Sequence, residues 1–169
     1  PTIEKALSIL LIDAAAPPTR RLFTAGPFRE ALAGAISRAT ALALIGGTNA
    51  SAREFTTVQK KPCFAARLEP ASLGTAKGVA GAQKVIAFCG IGRPERFFSS
   101  LIAAGFTLVD ERIFPDHHPY SRKEIETLRS AASAAAATLI TTEKDFVRLP
   151  PDLREGVVVF PVVMKVEEP

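Results

Sequence analysis

From Lys84 to Arg148 the sequence alternates between compact apolar runs and segments of helical period, and this constrains the fold more than any other feature. KVIAFC at 84–89 reads as a strand, a Gly-rich turn leads into a helix over 94–104, and TLVDERI at 107–113 reads as the next strand. A loop, a helix over 122–135, a strand over 137–141 and a short helix near 143–148 follow. Strands with apolar residues at consecutive positions, rather than at every second one, are buried on both faces. Such strands, linked through helices, imply right-handed βαβ units and a parallel sheet. The Ala-rich tract 131–137 belongs to a helix whose small residues pack closely.

The same grammar governs the first part of the chain. SILLI at 8–12, ending at Asp13, reads as a buried strand, followed by a loop with Pro17, Pro18, Arg20 and Arg21. A helix is predicted after Gly26-Pro27, since proline suits a first helical turn and Glu30 suits the positive end of the helix dipole. Its apolar positions Leu32, Ile36 and Ala39 recur at helical spacing, and ALALI at 41–45 is a second strand closed by Gly46-Gly47. Residues 48–61 are polar and separate two lobes. PCFAARL at 62–68 is a further strand, with a Gly/Ala-rich turn region over 71–82. The tail at 157–166 is strand-like but holds Pro161, which marks an edge or a bulge. Pairing of this tail with 62–68 would tether one lobe to the other by two strands. The expected organisation is thus a first α/β lobe over 1–61, a linker strand and turn over 62–83, a second α/β lobe over 84–156, and a return linker strand over 157–169.

Composition narrows the function classes. Among 169 residues, 47% are hydrophobic and 22% charged, as in soluble globular proteins. A net charge of +4 favours an anionic partner without selecting its kind. With no Trp, one Tyr and no basic cluster interleaved with aromatics, nucleic-acid binding has no support. Two cysteines, Cys63 and Cys89, make no disulfide framework, and Cys89 reads as a small buried hydrophobe. No apolar run approaches the ~18 residues that span a bilayer. The first residue is Pro1 and not Met, so the chain is read as a fragment.

Four segments are candidates for chemistry, the first three of them beside a strand end. Both histidines of the chain stand in Phe114-Pro115-Asp116-His117-His118-Pro119-Tyr120-Ser121, after one strand and before a helix that Ser121 and Glu124 would cap as a box. A carboxylate next to an imidazole can orient the ring, which suits proton transfer, although a surface loop without a role has the same spacing. Thr141-Thr142-Glu143-Lys144-Asp145 is the second, and helix capping explains it without any chemistry. The third, Gly90-Ile91-Gly92-Arg93-Pro94-Glu95-Arg96-Phe97-Phe98, resembles a phosphate-cradling turn but matches neither GxGxxG nor GxxxxGK[ST]. In the fourth, Ala25-Gly26-Pro27-Phe28-Arg29-Glu30, the Arg could clamp a phosphate and the Glu could hold Mg²⁺, or the two could form a surface ion pair.

In this order and spacing, together with the apolar strand 7–13, Arg21-Leu22 and the strand 41–45, these segments resemble the tetraacyldisaccharide 4'-kinases. The resemblance covers nearly the whole chain and is thinnest at 48–83. It implies a P-loop NTPase-like core, represented here by a remnant over 1–61, plus a smaller C-terminal α/β lobe joined by a two-stranded linker. It also implies transfer of the ATP γ-phosphate to the 4'-hydroxyl of a tetraacyldisaccharide 1-phosphate in lipid A biosynthesis, with ATP and Mg²⁺. The expected setting is the cytoplasmic face of the bacterial inner membrane. His117 matches the histidine of the family's Asp–His dyad, Asp116 falls beside it, and Arg29 and Glu30 match an Arg–Glu pair near the phosphate-transfer site, with Glu30 toward the metal. Glu143, Lys144 and Asp145 are supporting candidates. The family's P-loop, its acidic Mg²⁺-binding segment, the dyad Asp and a membrane-associating helix lie upstream of what this chain contains, so the chain alone is expected to be inactive. Two departures are that Ala14-Ala15-Ala16-Pro17-Pro18-Thr19 lacks the family's Gly-rich loop, and that Thr24 stands where Pro precedes AGP. Two rival readings are a non-catalytic α/β module that binds a lipid or anion, and a metal phosphoesterase of the DHH type, suggested by Asp116-His117-His118.

Overall fold

A computed structural model of the chain describes residues 6–14, 30–46, 61–71 and 83–167. It divides into two compact units, one comprising residues 1–68 and 164–169 and the other residues 69–163.

In the first unit, β1 (Ile9–Asp13) and β2 (Ala41–Ile45) are parallel and joined through α1 (Leu32–Arg38). The helix predicted after Gly26-Pro27 starts only at Leu32, with Ala31 extended as its N-cap, so Glu30 lies ahead of the helix and not in its first turn; residues 26–29 lie outside the described residues. Ile36 of α1 packs with Ile12, Leu42 and Leu44 in a small core. β2 pairs in parallel with β3 (Cys63–Pro70), and β8 (Val162–Val166) lies next to β3, giving the order β1-β2-β3-β8. Ala71 N–H donates to Pro161 O and Glu167 N–H to Ala65 O, so β3 and β8 run antiparallel.

The second unit is the stronger α/β body. Its strands β4 (Lys84–Cys89), β5 (Thr107–Ile113), β6 (Thr138–Thr142) and β7 (Val157–Phe160) are all parallel, in the order β5-β4-β6-β7. Connections run through α2 (Pro94–Ala103), α3 (Arg122–Ala134) and the short α4 (Glu143–Phe146). Period-2 alternation of β4 explains its unbroken apolar run. Val85, Ala87 and Cys89 face a core with Phe97, Phe98, Leu101, Phe106 and Phe160, while Ile86 and Phe88 face one with Ile125, Leu128, Leu139 and Leu149. Burial pushes the Cys89 thiol pKa up to about 12, as suits an inert core residue.

The tail differs from its sequence reading. The stretch 157–169 is not one return strand, because Pro161 divides it: β7 completes the second sheet beside β6, and only β8 joins the first. Proline lacks the N–H a ladder needs, and here the chain leaves one sheet for the other at that residue.

Candidate functional site

Strand order fixes where a site can lie in the second unit. β4 comes first in the chain, β5 is added on one side of it and β6 on the other, so the order switches between β4 and β6. Loops leaving neighbouring carboxyl ends diverge at such a switch and open a crevice. Gly90 follows β4, the 114–121 loop follows β5 and 143–148 follows β6. Three of the four segments singled out in the sequence therefore meet at one end of one sheet.

Gly90 is the hub. A Cβ there would stand 2.8 Å from Pro115 O, 3.1 Å from Tyr120 Oη and 3.4 Å from Asp145 Oδ1, so only glycine fits between the two loops. Its carbonyl accepts from the backbone N–H of His117 at 3.3 Å and from the Arg148 guanidinium at 3.2 Å. His117 itself has φ 63°, a left-handed conformation uncommon for a residue with a side chain. The imidazole is 70% exposed; its Nδ1 accepts from Arg148 Nη2 at 2.9 Å, and its Nε2 lies 3.7 Å from Asp116 Oδ2. Asp116 also pairs with Lys144 Nζ at 3.4 Å. Desolvation is the largest single influence and raises the Asp116 pKa, but electrostatic attraction and hydrogen bonds from His117 and Lys144 together outweigh it and hold the carboxyl below its usual range.

Beneath this exposed layer lies a buried one. Asp145 is fully buried; its backbone N–H donates to Thr142 Oγ1, which in turn donates to Asp145 Oδ2 at 2.7 Å, and Oδ1 accepts from Arg148 at 3.3 Å. Thr142 therefore caps α4, whereas Thr141 is buried and donates to Phe88 O at 2.7 Å. Tyr120 is buried, and its hydroxyl has no hydrogen-bond partner among the described residues; burial first, and the nearby Asp145 charge second, raise its pKa.

The neighbouring histidine has a different position. His118 Nε2 bonds Glu124 Oε1 at 3.0 Å, and its ring packs on Phe114 and Tyr120 with centroids 4.8 and 5.2 Å away. Glu124 simultaneously accepts from Ser121 N–H at 2.8 Å, completing the capping box of α3. His118 thus anchors the loop to the helix.

The remaining candidates are placed as follows. Glu143 is exposed at the start of α4. Glu30 is exposed in the first unit, with its carboxylate in an ion pair with Arg38. Arg29 lies outside the described residues. Sequence reasoning passed over Arg148 and Tyr120. Arg148 stands three residues after Asp145, a helical spacing that could have flagged it, and Tyr120 is the chain's single tyrosine within an already marked loop.

The fold and site define an open parallel α/β protein whose polar groups gather beyond strand carboxyl ends at a switch in strand order. The sequence profile of the tetraacyldisaccharide-1-P 4'-kinase family matches residues 1–169, and the chain belongs to that family. Among its relatives, the tetraacyldisaccharide 4'-kinase of Paramagnetospirillum magneticum is 42% identical over 99% of this chain and 51% of its own length. That of Rhodospirillum centenum is 39% identical over 100% of the chain and 50% of its own. The crystal structure of "apo" form LpxK from Aquifex aeolicus in complex with ATP superposes with a TM-score of 0.63 at 26% identity, covering 97% of this chain and 49% of that one. The chain therefore spans about half the length of the kinases it matches.

Proposed function

We propose that this chain forms the C-terminal part of a tetraacyldisaccharide 4'-kinase, in which the complete enzyme transfers the ATP γ-phosphate to the 4'-hydroxyl of a tetraacyldisaccharide 1-phosphate. The observation that carries this reading is His117: an exposed imidazole, held from below, at the crevice of the second sheet in the loop that matches the family's dyad motif. In phosphoryl transfer the protein contributes mainly positioning and electrostatic stabilisation. His117 would serve the hydroxyl's proton in concert with an upstream Asp, with Asp116 orienting the ring and Arg29 and Glu30 arranging charge at the phosphate.

ATP and Mg²⁺ would be held chiefly by the half of the kinase that relatives carry beyond this chain's match. Among the described residues no three His, Cys, Asp or Glu side chains gather as a metal site, and the Glu30 carboxylate is engaged by Arg38. These residues do not by themselves fit Mg²⁺. The chain boundary between the two units falls within β3 and within β8, which supports these strands as the two-stranded linker over a P-loop-type remnant. Work at the cytoplasmic face of the inner membrane would be peripheral for this part of the chain, since no helix among the described residues is long and apolar enough to cross a bilayer.

Neither rival has an observation in its favour. The DHH reading needs Asp116, His117 and His118 to converge on metal, yet the two imidazoles turn to Arg148 and to Glu124. No feature specific to a non-catalytic lipid or anion module sets that reading ahead of the kinase.

The test is to replace the matching half of the Paramagnetospirillum magneticum kinase with this chain and follow phosphate transfer to the disaccharide lipid. The chimera is expected to turn over, and His117→Ala to slow it by about 10²–10⁴-fold, the usual weight of a proton-handling side chain. An unchanged rate would reduce the 114–121 loop to structure. The chain alone is expected to show no transfer.

A further inference from the structure

The segment 141–148, in which Glu143, Lys144 and Asp145 are supporting candidates without a defined role, supplies the groups beneath His117. Asp145 is fully buried on α4, capped by Thr142, and one of its oxygens accepts from Arg148. Arg148, whose side chain is only 20% exposed, divides its guanidinium between Asp145 Oδ1, Gly90 O and His117 Nδ1. The guanidinium is a planar fork that donates and never accepts, so a ring nitrogen facing it must offer its lone pair. On the other side of the ring, Nε2 lies 3.7 Å from the Asp116 carboxylate, a group that offers only acceptors when ionised.

We infer that Asp145 and Arg148 are positioning residues that lock His117 in its Nε2–H tautomer with Nε2 turned outward. The inference rests on the kinase reading only for its purpose, since the geometry lies wholly within the second unit. Its chemical consequence is directional. The neutral ring can donate from Nε2 to a carboxylate or a substrate oxygen. To take a proton at Nε2 while neutral, it would have to carry its hydrogen on Nδ1 and give up Arg148. Asp145 acts one step further away: fixed in the interior, it holds the guanidinium at the angle that reaches both Gly90 O and the imidazole.

Long-range ¹H–¹⁵N spectra of the full chain, labelled at its two histidines, read the tautomer directly, with assignment by His118→Gln. Above the titration range His117 is expected in a single form, with Nε2 protonated and Nδ1 free. In Arg148→Gln the two ring-nitrogen shifts of His117 are expected to converge toward an exchanging mixture. Arg148→Lys, which donates but cannot fork, should recover only part of the separation. The His118 signals, set by Glu124, report in each variant that the loop is folded. Asp145→Asn is expected to shift His117 in the same sense as Arg148→Gln and more weakly. A wild-type His117 carrying its hydrogen on Nδ1 or already in a mixture, or an Arg148→Gln spectrum identical to wild type with His118 intact, would overturn the inference. Because none of these readouts needs turnover, failure of the kinase reading in the chimera leaves them standing, and the converse also holds.

Discussion

At the residue scale, Gly90 shows how one missing side chain organises a site. All three atoms closest to its would-be Cβ, Pro115 O, Tyr120 Oη and Asp145 Oδ1, belong to the segments after β5 and β6, and the closest is backbone that cannot rotate aside. Gly90→Ala is therefore expected to destabilise the chain by about 1–3 kcal/mol, the usual cost of overpacking. It should also displace His117, whose N–H bonds the Gly90 carbonyl. Urea unfolding gives the first quantity and the His117 ring-nitrogen shifts give the second. An alanine variant as stable as wild type, with His117 unmoved, would mean that the loops separate freely. The sequence flagged the glycine as part of a turn, but its reason lies in two loops distant in the chain.

At the element scale, α3 is the helix most fully legible in the sequence. Ser121 followed three residues later by Glu124 announces its start, and the reciprocal bonds are present in the fold. Ser121→Ala is expected to cost about 1 kcal/mol in chemical denaturation, since it leaves a helix N-terminus without its acceptor. The same box gives a pH dependence. The bond from Ser121 N–H, first, and the Ser121 and His118 side chains after it hold the Glu124 carboxyl below its ordinary 4.5. A lowered folded pKa means stability that is present above the ordinary value and lost as pH falls through the folded one. The wild type should thus lose part of its stability at acid pH, and Glu124→Gln should lose less over that window; parallel acid-denaturation curves would count against the box. The end of α3, expected at 135, falls at Ala134, so only the last residues of the alanine tract 131–137 depart from the helix read there: Ala136 adopts φ 47° where glycine is the usual residue.

At the scale of the whole molecule, the two units differ in how well their strands are enclosed. β4 has partners on both sides and apolar cores on both faces, whereas β1 is an edge strand whose Ile9 and Leu11 are 40% and 55% exposed. Amide hydrogen exchange is expected to be slowest in β4 and β6, and faster in the edge strands β1 and β8 than in β2 and β3 between them. Phe88→Ala, which removes the ring between Phe114 and Tyr120, should lower the opening free energy of β4 and β6 by about 3–5 kcal/mol. Uniform protection across β1 and β4 would contradict this division.

The sequence by itself determined β4, β5 and β6 nearly to the residue, the α/β class and the family, because consecutive apolar runs, caps and motifs are local signals. It marked the loops that make the site as well. Only tertiary structure decided that Pro161 passes the chain from one sheet to the other, that Asp145 is buried instead of lining a surface helix, and that the two adjacent histidines part. The bonds that tie the site's loops together join residues 28 to 58 apart, such as Lys144 with Asp116 and Arg148 with Gly90, and a local pattern holds no record of which loops a strand order will bring together.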